Sequence, residues 1–470
     1  MKNNFLFIKL FLLLLFVVSC SSDDDNNGTR EFVVAFENPS VSFSATDETK
    51  EIKLVFSRVA PESGTAVINY TTVDATYDTD FTTVPSGETG TVTVNITQGT
   101  SESVFTFNKL QNPIEGTTKS VTFSLESVTV TNAVISGNTE LVVSFTDAPA
   151  LWGIIAPEIG GPNEPNQVYI DLSSQTETAV RRDAWDLGFY SGEQFRVILN
   201  TSLAMAAGEL EFTDIDAVTE ADVEDLQPLV ATGTFTPDNL EYVDAQNGDI
   251  TQTAIAEISE TDDENKVYLL NLGGELGVSP PDNPEGGTRI FEGERGWKKI
   301  RILKDGDNYI LQYADLNDTT HEEVKISKNN NYNFTFYSLD ENSVVDIEPM
   351  KDQWDLNFTV FTNSIEGFGS YVFADFVANN TKAGARAYLV STEDISYNDF
   401  AFADVVTENF SDDHRAIGSF WRDTPSVTLF DDVFFVLQDP NGNIYKIRFT
   451  ALVNESGERG YSKFEYSLLQ

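Results

Sequence analysis

The sequence predicts an all-β protein with minor helix, and three observations carry that expectation. Short segments alternating apolar and polar residues recur along most of the chain. They are filled with Val, Thr, Phe and Tyr and separated by Gly, Pro, Asn and Asp, the residues that punctuate strands. Only one short stretch places acidic and apolar residues at helical spacing. At 470 residues the chain exceeds one ordinary domain, and 40% hydrophobic with 12% aromatic residues is enough to fill more than one core.

The chain opens with "MKNNFLFIKLFLLLLFVVSC", in which Lys2 and Lys9 flank an apolar run from Leu10 to Val18 that ends on a small residue before Cys20. That pattern predicts a signal peptide over residues 1–19 rather than a spanning helix. "VVSC" resembles the lipobox of bacterial lipoproteins, and the resemblance implies acylation of Cys20 after cleavage. Cys20 is the only cysteine, so disulfides, thiolate metal sites and a cysteine nucleophile leave with it. Residues 20–30, with "SSDDDNNGT", read as a flexible acidic tether. Such tethers resemble surface-export signals of some Gram-negative lipoproteins, which implies anchorage in the outer membrane facing the exterior; the periplasmic face is the alternative.

Residues 31–147 alternate with period two through "EIKLVFSR", "TAVINYTTV", "TVTVNITQ", "SVFTFNKL", "SVTFSLESV" and "ELVVSFT". Strands of this kind, broken by Gly and Pro turns, predict an antiparallel β-sandwich. Within it "TYDTDFTTVP" resembles the Tyr-x-x-Asp-Phe phrase of Calx-β-like and related immunoglobulin-like modules. Some of those bind calcium through carboxylates at one end of the sandwich, and Asp74, Asp78 and Asp80 are the acids nearby. The competing reading is a turn whose Asp side chains cap backbone amides.

A Pro- and Gly-rich stretch, "TDAPALWGIIAPEIGGPNEPNQ", places a domain boundary near Ala148. Beyond it, residues 150–470 still read as strands, among them "QVYIDL", "QFRVIL", "KVYLLNL" and "YNFTFYSL". "KDGDN" and "DPNGN" sit between alternating runs, where Asp-Gly and Asn-Gly supply the positive φ angles of tight hairpins. The helix candidate is "DIDAVTEADVEDL", residues 214–226.

One phrase is written twice: "RRDAWDLGFY" around Trp185 and "MKDQWDLNFT" around Trp354. In strand geometry Trp and Leu of "WDL" share a face and Asp takes the other. Two sheet-anchoring tryptophans, each beside an Asp able to accept backbone amides, imply two related halves rather than chemistry. With the phrases around them, from "NQVYIDLSS" through "GWKKIRI", "YILQYADLND" and "VVDIEPMKDQWDLNFT" to "GNIYKIRFTALVNESGERGYSKFEYSLL", they resemble the HmuY-like haem-binding lipoproteins over about residues 150–470. The resemblance implies a β-rich domain on an outer-membrane lipid anchor. It also implies capture of haem or a related porphyrin, and delivery to an outer-membrane receptor.

Haem held on both faces needs two axial donors, His or Met, with apolar walls. The histidines are His321 and His414, and the methionines beyond the initiator are Met205 and Met350. Met205, in the "NTSLAMAAGEL" loop after the first Trp unit, and His414, before the aromatic pair Phe420 and Trp421, are the haem-binding candidates that follow. The competing readings are a core gap-filler or an exposed loop residue for Met205 and a surface histidine for His414. His321 looks like a hairpin-end residue, and Met350 like the start of the second Trp strand. No histidine pair occupies equivalent loops of the halves.

The formal net charge of −46 excludes nucleic acid and repels anionic headgroups, so membrane contact rests on the lipid alone. The chain has no Gly-x-Ser-x-Gly elbow, no His-Glu-x-x-His and no phosphate loop, and an enzyme is not expected. The expected function is haem or porphyrin capture. The alternative is a non-catalytic surface adhesion or scaffold lipoprotein stabilised by calcium.

Overall fold

The computed structural model describes residues 31–44 and 47–470, so the predicted signal peptide, Cys20 and the tether lie outside the described residues. The described chain is almost entirely β and divides into two compact units. One comprises the described residues up to 112 and 118–146. The other comprises 113–117 and 147–470.

The first unit is two five-stranded sheets. One runs Phe81–Val84, Glu102–Lys109, Thr49–Phe56, Phe32–Phe36, Ala133–Ile135, and the other Ser40–Phe43, Glu140–Phe145, Lys119–Val128, Gly64–Val73, Thr91–Ile96. Alternate residues of each sheet meet in one phenylalanine-rich core, where Phe107 touches both Phe43 and Phe123, the latter edge to face. Asp80 is enclosed there. It accepts from Lys119 Nζ at 2.6 Å, Gln111 Nε2 at 2.7 Å and the Thr76 amide at 2.7 Å. Asp74 and Asp78 are turn residues in the left-handed region, with φ of 50° and 65°. Among the described residues no group of three or more His, Cys, Asp or Glu is placed to hold a metal ion.

Besides two two-stranded sheets, the second unit stacks four larger ones. Two of them, Thr176–Arg181, Asn166–Asp171, Leu356–Ile365, Gly369–Asn379 and Trp152–Ile155, Arg459–Leu468, Ile444–Val453, Val433–Gln438, Arg386–Ser391, enclose one core built on Ile170, Phe358, Phe435 and Phe464. The other two, Val197–Leu199, Leu187–Tyr190, Phe334–Ser338, Ser343–Val345 and Ala206–Glu209, Val267–Asn271, Trp297–Asp305, Asn308–Ala314, Glu322–Ser327, enclose a second core built on Leu187, Leu270, Ile300 and Leu311. Between the two sandwiches lies a smaller aromatic layer of Tyr169, Trp185, Phe334, Phe336, Ile347 and Trp354. Each half therefore owns a core, and the halves share a lining.

Both predicted hairpins form. Asp305 pairs with Asn308 across a two-residue turn in which Gly306 has φ of 61°. Asp439 accepts from the Asn443 amide at 2.7 Å in the turn that ends at Gly442, φ 94°. The helix expected over 214–226 shrinks to a 3₁₀ turn, Ile215–Ala217, and one α-turn, Glu220–Val223. The capping box of Thr219 and Asp222 starts the helix properly. Glu224 and Asp225 then place negative charge at its C-terminal end, where the helix dipole opposes them. Among the described residues no helix is long and apolar enough to cross a membrane.

Candidate ligand cavity

The repeated phrase builds the same local structure twice. Trp185 lies edge-on to Phe336, ring centroids 4.7 Å apart, and Trp354 lies edge-on to Tyr169 at 5.0 Å. The Asp after each Trp accepts a distant amide, Leu339 to Asp186 at 2.6 Å and Leu172 to Asp355 at 2.8 Å. An asparagine then fastens each Trp from behind. Asn200 Nδ2 donates to the carbonyls of Trp185 and Arg182, both at 2.7 Å, and Asn380 Nδ2 donates to those of Trp354 and Lys351, both at 2.8 Å.

This clamp corrects one expectation from strand geometry. Trp and Leu of "WDL" do not share a face: both indoles enter the shared aromatic layer, whereas Leu187 and Leu356 enter the cores of their own halves. Each Trp precedes its strand rather than belonging to it, so the alternation of a pleated strand does not reach it.

Between these walls is a cavity of about 160 Å³. Tyr169, Trp185, Phe334, Phe336, Trp354 and Phe361 supply its aromatic faces. Two enclosed carboxyls also line it. Asp244 accepts from the amides of Leu199 at 2.7 Å and Ala254 at 2.9 Å, and burial pushes it up to about 6. Glu348 accepts from the Phe334 amide at 2.9 Å, and burial pushes it up to about 8.

His414 completes the lining. Its backbone is pinned on both sides, the amide donating to the Asn247 carbonyl at 3.2 Å and the carbonyl accepting from the Asn379 amide at 2.9 Å. Its ring stands edge-on to Phe361 at 5.1 Å. Burial holds the imidazole down at about 4, against the pull of Asp413 and of the Gln246 carbonyl, so it is neutral at physiological pH. Nε2 is enclosed and has no hydrogen-bond partner. The Gln246 contact therefore belongs to Nδ1, which leaves the Nε2 lone pair free.

The two donor candidates are not brought together. Met205 is 1% exposed and packs in the core with Leu187, Leu203 and Leu270, away from the cavity lining. The aromatic pair after His414 does not wall the cavity either: Trp421 is stacked on Phe449 in the other half's core, at 4.2 Å, and Phe420 is exposed. His321 Nδ1 lies 2.9 Å from Asp216, and Met350 is exposed in the turn before Trp354. The asparagine clamps and the wall residues Gln167, Tyr169, Asp244 and Glu348 had no sequence signal, because no motif joins positions so far apart.

Residues 163–322 and 330–466 match the model of the HmuY protein family. The chain belongs to the HmuY family. HmuY proteins form a haem-binding, non-enzymatic, surface-associated family. No curated protein matches the chain. Among solved structures, the chain is similar to a two-domain protein of unknown function from Bacteroides fragilis, 11% identical over 66% of this chain and 90% of that one, TM-score 0.20. A putative carbohydrate binding protein from Bacteroides ovatus is 10% identical over 62% and 71%, TM-score 0.19. The Calx CBD1 domain is 13% identical over 25% and 98%, TM-score 0.22.

Proposed function

We propose that this HmuY protein is a lipoprotein, anchored through Cys20 in the outer membrane and facing the exterior, that captures haem or a related porphyrin for uptake. One observation carries the reading: a neutral histidine whose Nε2 is enclosed and unpartnered lines an aromatic cavity. An imidazole nitrogen fixed from its far side and free on its near side is how a protein offers iron one axial bond.

The residues fit one such bond. Among the described residues no second His or Met lines the cavity, so the protein holds haem from one side. An apolar cavity of about 150 Å³ takes a single benzene ring. At about 160 Å³ this one takes a ring and not a macrocycle, so capture requires its aromatic walls to part. Each wall rests on its own core.

Haemin titrated into the soluble full chain is expected to give a saturable Soret shift that His414→Ala abolishes. Met205→Ala is expected to keep it. A wild-type chain with no spectral change retires the reading.

A further inference from the structure

The same cavity carries a second set of groups that iron does not use. Gln167 Nε2, Trp185 Nε1, Trp354 Nε1, Asn357 Oδ1 and both Nδ2 and Oδ1 of Asn379 are enclosed and have no hydrogen-bond partner, and all five residues line the cavity. Strand register explains part of the cluster. Tyr169 pairs with Asn357 across neighbouring strands, so Gln167, Tyr169 and Asn357 share one face, the face turned to the aromatic layer. The two indoles come from the twin Trp phrases, one on each half.

An enclosed polar group without a partner costs about 1–3 kcal/mol, and native proteins rarely leave one unmet. Six such atoms on the residues of one ring-sized cavity mean that a polar occupant belongs there. Water satisfies such groups but gains nothing from six aromatic faces. The occupant that uses both offers hydroxyls, which accept from the indoles and Gln167 and donate to Asn357, on a ring whose C–H faces lie against aromatic carbon. Charge narrows the class further. An anion has no donor for Asn357 Oδ1, and a cation has no acceptor for the indole N–H groups.

We infer that this cavity binds a neutral polyhydroxylated ring of monosaccharide size, held by Gln167, Trp185, Trp354 and Asn357 between the aromatic walls of the two halves. The inference goes beyond haem capture and stands on different atoms of the same cavity.

The test is calorimetric titration of the full chain with glucose, galactose, mannose and N-acetylglucosamine, with tryptophan fluorescence recorded in parallel. At least one sugar is expected to bind saturably and to shift the emission, because its hydroxyls meet indole N–H groups that now have no partner. Trp354→Phe keeps the ring face and removes the N–H, and Asn357→Ala removes the acceptor. Each is expected to weaken that sugar about tenfold. If Trp354→Phe does not fold, Trp185→Phe replaces it. The inference is overturned if no sugar binds, if uracil or adenine binds in place of sugars, or if the variants bind as the wild type does. Haemin titration separates the two readings. Sugar binding without a Soret shift retires haem capture alone, and a Soret shift without sugar binding retires this inference alone.

Discussion

The imidazole of His414 stands at 78° to the ring of Phe361, with centroids 5.1 Å apart. That contact holds a neutral histidine in place without using either nitrogen. Because the folded imidazole sits at about 4, below its ordinary 6.5, its neutral form is the folded form. Stability from this group is complete above pH 6.5 and is lost as pH falls towards 4. Haemin binding should therefore hold from pH 8 down to about 5 and collapse near 4. A Soret titration across that range checks it, and a collapse already at pH 6 to 7 would place the axial nitrogen elsewhere.

Glu348 titrates with the opposite sign. Its folded value of about 8 lies above the ordinary 4.5, so the folded state prefers the protonated carboxyl. Its contribution is intact at low pH and declines as pH rises from about 4.5 to 8. Glu348→Gln should thus be more stable than the wild type at pH 8, by on the order of a few kcal/mol, with the difference shrinking by pH 5. Urea melts at the two pH values measure this; a variant equally stable at both would show that Glu348 is solvated.

The asparagine clamps should behave as a pair. Asn380→Ala leaves the carbonyls of Lys351 and Trp354 without their donor, and Asn200→Ala does the same to Arg182 and Trp185. Each is expected to cost about 2–4 kcal/mol, one to two unmet buried groups' worth. Denaturant unfolding gives the number, and a loss under about 0.5 kcal/mol at either position would mean that the clamp is incidental.

In the sandwich unit Asp80 already has a cation. Lys119→Met removes it and leaves an enclosed carboxylate with only Gln111 and the Thr76 amide, which should destabilise the unit by about 3 kcal/mol. Melting in millimolar calcium and in EDTA should coincide for the wild type. A calcium-dependent rise would favour the adhesion or scaffold reading.

Much of this architecture is written locally. The Asp305 to Asn308 hairpin needs only a Gly where φ is positive, and the twin Trp phrases announce two halves because each carries its own aromatic and its own capping Asp. What escapes a reading of the sequence is whatever the fold assembles from afar. Asn200 follows its Trp by 15 positions and Asn380 follows its own by 26, so the clamp has no fixed spacing to find. His414 reads as a surface residue because Asp412 and Asp413 precede it; only the strand that carries Phe361 and the turn that carries Asn247, brought against it by the fold, enclose the ring. Met205 reads as a donor because it sits in the small-residue loop after the first Trp unit. Those small neighbours instead let the chain press close to the core.

The layered arrangement of the larger unit bears on how this lineage can change. Folding is underwritten by two flanking interiors, so the residues in the seam between them are comparatively free to be rewritten. Descendants can trade one guest molecule for another there by altering a few side chains, while the flanks go on specifying the same architecture.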